Sequence, residues 1–221
     1  SWITVGGITF IEAGLWVVYS KRQRRWVAVG RDGDGTNTIL TSANGLSWTQ
    51  VSGDTFIGER GYYAGYYVAY SEEQDRWVAV GEGNNTIITS ANGIDWVGVS
   101  GQQFSPYGAG FGVAYSPEQD RWVAAGYISS TNIGLLTSDD GVTWSTVQGN
   151  YLPTCYSVFY GGGRWVALGY GSNIIIGNTI CTSSDGINWE LATGDVISQY
   201  GSWAAYSSKE KRWFAVGYDN E

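Results

Sequence analysis

The stretch Arg25-Trp26-Val27-Ala28-Val29-Gly30 decides the fold, because close variants of it recur four more times. The recurrences run over residues 76–81, 121–126, 164–169 and 212–217, and successive tryptophans are 51, 45, 43 and 48 residues apart. A run of β-branched and aromatic residues that ends at a glycine predicts a strand, and both faces of this one are apolar. Recurrence at such a period predicts an array of equivalent supersecondary units.

Each repeat contains four strand-like runs, of which the Arg-Trp run is the second. An Asn-Gly or Asp-Gly dipeptide separates the third run from the fourth and is a strong hairpin signal. The first strands are predicted at 15–20, 67–71, 112–116, 157–161 and 203–207, the third at 38–42, 86–90, 134–138 and 179–183, and the fourth at 47–53, 95–101, 143–149 and 188–194. Four antiparallel strands per repeat are typical of a β-propeller blade.

The sequence therefore predicts one all-β domain over residues 1–221, a five-bladed β-propeller of four-stranded antiparallel blades. Its blade repeats are predicted at about 8–53, 54–101, 102–149, 150–194 and 195–221 plus 1–7. Residues 1–7 resemble the fourth strand at 47–53 and are expected to close the ring by joining the C-terminal blade. That blade then lacks a third strand: it has three strands, or residues of a longer parent are missing, or another chain supplies the strand.

The segment Thr137-Ser138-Asp139-Asp140-Gly141-Val142-Thr143-Trp144 resembles the Asp-box of BNR-repeat propellers, whose superfamily includes sialidases. The other three copies carry Ala43, Ala91 and Ser184 at the Asp position, and each keeps Asn or Asp just before the glycine. The resemblance covers the whole chain and implies a propeller with Asp-box-like hairpins. Such propellers include enzymes and many non-catalytic binding and assembly proteins, so the resemblance alone implies no activity. The box residues are expected to be structural.

Composition excludes several functions. The net charge of −8 argues against nucleic acid and anionic membranes as partners, and no apolar run is long enough for membrane insertion. The absence of histidine removes the commonest general base and metal ligand, and we expect neither a metal nor another cofactor. Cys155 and Cys181 are either one disulfide or two buried thiols. The sequon at 84–86 favours an extracellular or surface-exposed protein.

Strand alternation sorts the loops onto two faces. Short charged loops at 21–24, 72–75, 117–120 and 208–211 share a face with the box hairpins and are predicted to be solvated turns. The opposite face, which we call the funnel face, gathers longer loops rich in tyrosine, amides and hydroxyls, a composition suited to sugars. The predicted ligand-binding residues are those that follow a strand-ending glycine and their neighbours in adjacent loops: Tyr127, Tyr170, Tyr218, Glu82, Asn84, Tyr62 and Tyr107.

Three functions follow from these features. The first is a non-catalytic binding propeller, carbohydrate-binding (lectin-like) or adhesive, which recognises a glycan or a protein surface. The second is a structural or assembly protein of a fibre, virion or surface layer, as a homo-oligomer or with a partner strand that completes the last blade. The third is a glycoside hydrolase. A sialidase needs three arginines, and only Arg31 and Arg60 lie on the funnel face. A two-carboxylate hydrolase would draw its pair from Glu12, Asp32, Asp34, Glu59 and Glu82, and no catalytic residue is assigned.

Overall fold

The computed structural model describes residues 5–33, 36–58, 63–104, 108–128, 134–149, 152–171, 178–193 and 197–218, and in these ranges the protein is all β. No helix occurs among the described residues. The strands are β1 Gly6–Gly7, β2 Ala13–Ser20, β3 Arg25–Arg31, β4 Ile39–Ser42, β5 Ser47–Gln50, β6 Ser52–Gly53, β7 Ala64–Ser71, β8 Arg76–Glu82, β9 Ile87–Ser90, β10 Asp95–Gly98, β11 Ser100–Gly101, β12 Ala109–Ser116, β13 Arg121–Tyr127, β14 Leu135–Ser138, β15 Thr143–Thr146, β16 Gln148–Gly149, β17 Thr154–Gly161, β18 Arg164–Tyr170, β19 Ile180–Ser183, β20 Asn188–Leu191, β21 Tyr200–Ser207 and β22 Arg212–Tyr218.

The strands repeat as antiparallel units, as the sequence predicts. Unit 1 is β2–β5, unit 2 is β7–β10, unit 3 is β12–β15, unit 4 is β17–β20, and unit 5 comprises β21 and β22. In unit 1, for example, Trp26 lies opposite Tyr19 on β2 and opposite Ser42 on β4. Single antiparallel residue pairs join unit 1 to unit 2, unit 3 to unit 4 and unit 4 to unit 5. No such pair joins units 2 and 3 in the described ranges, so the strands form two curled sheets, β1–β10 and β11–β22. This arrangement is that of a propeller-like fold.

The first strands lie innermost: β2 packs on β7, β7 on β12, β12 on β17, and β17 on β21. Large rings fill the space that they surround. Trp16 stacks on Tyr67 with ring centroids 4.4 Å apart, and Trp203 lies 5.4 Å from Trp16 and 4.6 Å from Phe159. These rings come from units 1, 2, 4 and 5, so aromatic side chains tie together the central part of the array.

The hydrophobic core lies between consecutive units. Val27 and Val29 of unit 1 pack with Trp77 and Val68 of unit 2, all of them completely buried. Equivalent clusters join unit 2 to unit 3 and unit 3 to unit 4, whereas the cluster between units 4 and 5 is smaller. Each unit therefore depends on its neighbours to bury its apolar faces, as in other repeat proteins.

Three of the four predicted fourth strands, at 47–53, 95–101 and 143–149, are divided in two, which corrects the sequence prediction. Residues 47–50 form β5 and pair with β4, but Ser52–Gly53 form β6 and pair in parallel with β10 of the next unit. Gly53 has φ of +84°, and a side chain there would collide with the backbone oxygen of Trp96. The same arrangement recurs at β11 and β16. In units 1 to 3 the end of the predicted fourth strand thus bonds to the next unit.

The N-terminal strand occupies the equivalent place on unit 1. Gly6 and Gly7 pair in parallel with Ser47 and Trp48 of β5, as Ser52–Gly53 do with β10. In the described part of the chain, residues 5–7 do not pair with β22, and β2 and β21 do not approach each other as the other neighbouring first strands do. Residues 1–4 lie outside the described ranges. The predicted ring closure and the count of five blades are thus not confirmed.

The first strands begin two or three residues earlier than predicted, and each contains a β-bulge. In unit 2 the pairing with β8 passes from Gly65 directly to Tyr67, so Tyr66 is the extra residue. A bulge re-aims the side chain that it inserts. The bulged residues of the five units are Leu15, Tyr66, Phe111, Tyr156 and Ser202.

The two cysteines are free thiols and are buried in the core between units 3 and 4. Of the two alternatives that the sequence leaves open, the structure has the unbridged one. Burial, together with a hydrogen bond to Cys181, raises the pKa of Cys155 well above its ordinary value. A thiol with a raised pKa carries little thiolate and reacts slowly.

Candidate ligand-binding face

The funnel face lies where the second strands end and the first strands begin. Tyr127 and Tyr170 sit at the junctions between units there. Tyr127 pairs with Ala109 of its own unit and with Thr154 of the next, and Tyr170 pairs with Thr154 and with Tyr200. Their backbones are therefore fixed by two neighbours, which holds the side chains on a rigid part of the scaffold.

Aromatic rings form a continuous row across this face from unit 2 to unit 5. Phe111 is its centre, with ring centroids 5.5 Å from Tyr66, 6.0 Å from Tyr127 and 5.7 Å from Tyr156. Tyr200 continues the row, 6.1 Å from Tyr156 and 5.5 Å from Tyr218. We call these six residues the aromatic row.

The half of the row that belongs to units 4 and 5 is open to solvent. The exposed fractions of Tyr156, Tyr200 and Tyr218 are 39%, 41% and 50%, and Tyr170, which borders the row, is 43% exposed. Burial, and then the neighbouring Tyr200 and Tyr170, raise the pKa of Tyr156, so its hydroxyl is neutral over the physiological range. A neutral phenol both donates and accepts hydrogen bonds. The row thus offers apolar ring surface edged by hydroxyl groups.

A small polar cavity of about 150 Å³ adjoins the end of the row at Tyr66. The side chains that line it are Glu12, Arg31, Asp32, Tyr63, Tyr66 and Glu82. The Tyr66 hydroxyl donates to Glu82 Oε2 at 3.0 Å. Since Tyr66 also contacts Phe111, the cavity and the aromatic row form one surface. The pKa of Tyr66 is raised by burial and by Glu82, against the opposing effect of Arg31, so Tyr66 also stays neutral.

The carboxylates of the cavity have different roles. Asp32 is only 1% exposed, and its two oxygens accept hydrogen bonds from the Ile11 backbone N–H at 2.9 Å and from Asn37 Nδ2 at 2.8 Å. Asp32 is therefore occupied in bonding its own loop and the segment before β2. Glu12 is exposed and Glu82 is half-buried, so these two carboxylates are more open to the cavity than Asp32 is. Among the described residues no three carboxylates or thiols are close enough together to hold a metal ion.

Four of the predicted site residues stand at equivalent positions, each as the last residue of a second strand, namely Tyr127, Tyr170, Tyr218 and Glu82. Asn84 is exposed in the loop after β8, where its backbone N–H donates to the Ile57 oxygen at 2.8 Å, and no contact joins it to the aromatic row in the described ranges. Tyr62 and Tyr107 lie outside the described residues, as do Asp34, Glu59 and Arg60.

Sequence reasoning missed Tyr66, Phe111 and Tyr156, the bulged residues that join the row together. They were missed because the predicted first strands begin after the bulge. A signal was nevertheless present, since Tyr66 and Phe111 both stand ten residues before the arginine of the next Arg-Trp motif. A bulge cannot be read from alternation alone, because the extra residue breaks the period of two.

The hairpin face is built by side chains that bond their own turns. The Oδ1 atom of Asp140 accepts the backbone N–H groups of Val142 at 2.8 Å and Thr143 at 2.7 Å, and Ser138 Oγ accepts the Gly141 N–H at 2.9 Å. The same pattern recurs around Asn44, Asn92 and Asp185. The residue before the glycine makes these bonds, which explains why alanine is tolerated at 43 and 91.

The short loops at 21–24, 72–75 and 117–120 were predicted to be solvated turns, and this prediction was wrong for the glutamine in each. Gln74 Oε1 accepts the indole N–H of Trp122 in the next unit at 2.8 Å, and its Nε2 donates to the Asp139 backbone oxygen at 2.6 Å. Gln23 and Gln119 repeat both bonds. We call each of these a glutamine clip. The corresponding loop of unit 4 is Gly162-Gly163 and carries no such side chain.

In units 1 to 4 the arginine of the Arg-Trp motif bonds within its own unit. Arg25 Nη1 donates to Thr41 Oγ1 at 3.1 Å, and the side chain of Arg25 also lies beneath Gly93 of the next hairpin. The ion pair of Arg121 with Asp139, at 2.7 Å, is likewise internal to unit 3. Polar contacts of these arginines thus stay within their own units, and Arg25 contacts the neighbouring hairpin only by packing. They belong to the scaffold.

Comparison with known proteins supports the fold. No family model and no curated protein matches the sequence. Two similar solved structures are the computationally designed protein Ika8, with a TM-score of 0.57 and 14% identity, and YCF48 bound to a D1 peptide, with a TM-score of 0.58 and 15% identity. Both alignments cover 92% of this chain, which spans 56% of the Ika8 chain and 60% of the YCF48 chain. At these identities the likeness shows the fold alone, which is all-β and propeller-like. No helix in the described ranges is of a kind that could cross a bilayer.

Proposed function

We propose that this protein is a non-catalytic binding propeller whose funnel face takes carbohydrate. The observation that carries the proposal is the aromatic row, an unbroken series of ring contacts across four units on one face. Loops and strand ends on a rigid scaffold are where binding residues concentrate. An extracellular or surface-exposed location, where glycans are met, belongs to the same proposal.

The chemistry of the row suits an extended oligosaccharide. Ring faces pack on the apolar C–H face of a pyranose, and neighbouring hydroxyls and carboxylates bond the sugar hydroxyls. Tyr156 supplies a neutral hydroxyl beside the open half of the row, and Glu82 and Glu12 supply acceptors at the polar cavity. Because ring positions recur from unit to unit, several weak contacts act together on one chain of sugars.

A hydrolase is the weaker proposal. Burial and Glu82 raise the pKa of Tyr66, which disfavours the phenolate that a tyrosine nucleophile needs. Asp32 is already bonded to its own loop, so a carboxylate pair in the cavity reduces to Glu12 and Glu82. Of the arginines that a sialidase would need, only Arg31 lines the cavity. A binding role needs no tyrosine phenolate, no catalytic carboxylate pair and no arginine triad, so it fits these side chains better.

Two further points belong to the proposal. The scaffold would be the five-bladed ring with Asp-box hairpins that the sequence predicts. A role in the assembly of a fibre, virion or surface layer would use the same scaffold. A peptide laid along the aromatic row is the second candidate ligand, because the similar structure of YCF48 was determined with a bound peptide.

A glycan array at physiological salt tests the proposal, with the Tyr127→Ala/Tyr170→Ala double variant beside the wild type. We expect the wild type to bind and the double variant to lose binding while its circular dichroism is unchanged. Tyr19→Ala is the matched control, because Tyr19 is a 40% exposed tyrosine toward the other end of a first strand. A blank array would overturn the carbohydrate proposal and direct the test to peptide libraries. Binding that survives in the double variant would overturn the site.

A further inference from the structure

The three joints that connect units 1 to 4 follow one rule. The second strand of each unit presents two aliphatic side chains to the next unit, as Val27 and Val29 do from unit 1. The receiving surface of unit 2 contains Val68, Trp77 and Trp96, each no more than 1% exposed. A glutamine clip from the preceding unit completes the joint by accepting the indole N–H of Trp77.

Unit 1 has the same receiving surface, and no other unit of the described chain packs on it. An apolar groove of about 560 Å³ is lined by Val17, Trp26, Ala28, Leu40 and Trp48, among other residues. These five occupy the positions of Val68, Trp77, Ala79, Ile88 and Trp96 in unit 2. Val17 is 49% exposed, whereas Val68 is completely buried. We call this groove the first-unit socket.

The polar part of the joint is also incomplete at unit 1. The indole N–H groups of Trp77, Trp122 and Trp165 each bond to a glutamine of the preceding unit at 2.8 Å. The indole N–H of Trp26 has no acceptor among the described residues. A half-buried donor beside a large apolar groove is costly unless a partner supplies both the apolar contact and the acceptor.

Unit 5 carries the complementary surface, also uncovered. Phe214 and Val216 stand at the positions of Val27 and Val29, and they are 57% and 61% exposed. Glu210 stands at the position of Gln23, and its backbone N–H donates to Ser207 Oγ at 3.1 Å just as that of Gln23 donates to Ser20 Oγ at 3.0 Å. We call Phe214, Val216 and Glu210 the last-unit ridge.

We propose that the last-unit ridge of one copy of this chain docks in the first-unit socket of a second copy, head to tail. Phe214 and Val216 would cover Trp26 and Val17, and the Glu210 carboxylate would accept the Trp26 indole N–H. The proposal extends to two chains the joint that already connects units 1 to 4 within one chain. Both surfaces remain open within a single chain, since Phe214, Val216 and Val17 are all exposed. Such a contact is heterologous, so it forms a ring if the rotation closes and a linear chain of copies if it does not.

The test uses sedimentation velocity and light scattering over a concentration series. We expect the wild type to gain mass with concentration. Val17→Asp blocks the socket and Val216→Asp blocks the ridge, so each variant alone should remain monomeric. An equimolar mixture of the two should form a dimer and nothing larger, because one intact ridge and one intact socket remain. Val97→Asp, a substitution of a 57% exposed valine on β10 of unit 2, is the matched control and should assemble like the wild type.

Circular dichroism checks that the variants fold, and all three substituted valines are exposed in the single chain. A wild type that is monomeric at every concentration would overturn the proposal. So would assembly of Val17→Asp alone, or a mixture that stays monomeric. Hydrogen exchange of the Trp26 indole N–H shows whether the socket is covered in the monomer. If the protein is monomeric and this N–H is protected, the socket is closed within its own chain, which also overturns the proposal. None of these substitutions touches the aromatic row, so the result is independent of carbohydrate binding.

Discussion

The rings of Phe111 and Tyr127 lie 6.0 Å apart and within 8° of parallel, although one belongs to a first strand and the other ends a second strand. The bulge in β12 brings Phe111 to this position, and the junction with unit 4 fixes Tyr127. Two strands of unit 3 thereby build one aromatic surface at the centre of the row.

Substitution of Phe111 tests the contribution of that surface. Phe111→Ala removes the ring that contacts Tyr66, Tyr127 and Tyr156. We expect binding of the ligand found by the array to weaken roughly tenfold, as measured by calorimetry. Tyr127→Phe keeps the ring and removes only the hydroxyl, so its effect should be smaller. Wild-type affinity in Phe111→Ala would contradict a role for the row.

The glutamine clips should contribute to stability. Gln74→Ala removes the acceptor of the Trp122 indole and the donor to the Asp139 oxygen. We expect the free energy of unfolding, measured by urea denaturation, to fall by about 1–3 kcal/mol. Glu72→Ala in the same loop changes an exposed side chain and should cost much less. Equal effects of the two substitutions would show that the clip is energetically unimportant.

The hairpin aspartates should make stability depend on acidic pH. Burial opposes the shift, but hydrogen bonds from the side chain and backbone of Asn188, the Ile187 N–H and Ser183 lower the pKa of Asp185 from its ordinary 3.8 to about 2. A lowered carboxyl pKa stabilises the folded state above pH 4, and this contribution is lost as the pH falls from about 4 to about 2. Asp185→Asn, which copies Asn44 and Asn92, should remove that part of the pH dependence and keep the hairpin. Thermal melting at pH 2.5 and pH 6 measures the difference, and an unaltered pH profile would contradict it.

The buried thiols should be inert in the native protein. Cys155 and Cys181 are inaccessible, and the pKa of Cys155 is raised. We expect a thiol reagent at pH 8 to label neither cysteine until denaturant is added, after which both react at the rate of a free thiol. Rapid labelling of the folded protein would mean that the core between units 3 and 4 opens readily.

Most of the fold could be predicted from the sequence because it depends on repetition. The Arg-Trp strands and the Asn-Gly and Asp-Gly turns give strand order and antiparallel pairing, and the structure has both. The exchange of strand ends between units could not be predicted, because Ser52–Gly53 read as a simple continuation of β5. The positive φ of Gly53 and the pairing of Ser52–Gly53 with β10 separate β6 from β5 in the structure.

The candidate site was predictable in part for the same reason. Tyr127, Tyr170 and Tyr218 follow a strand-ending glycine, so their face follows from strand alternation. Phe111 and Tyr156 lie on bulges, where alternation fails. Gln74 could not be recognised either, because a glutamine in a charged loop looks the same whether it faces water or the indole of another unit.

The Gly162-Gly163 loop of unit 4 has a consequence for motion. Where the first three joints each have a glutamine clip, this joint has none, and the apolar cluster behind it is the smallest of the four. Local unfolding follows the weakest cooperative boundary in a structure. Amide protons of β21 and β22 should therefore exchange through a sub-global opening that leaves units 1 to 3 intact. These two strands should unfold first and refold last.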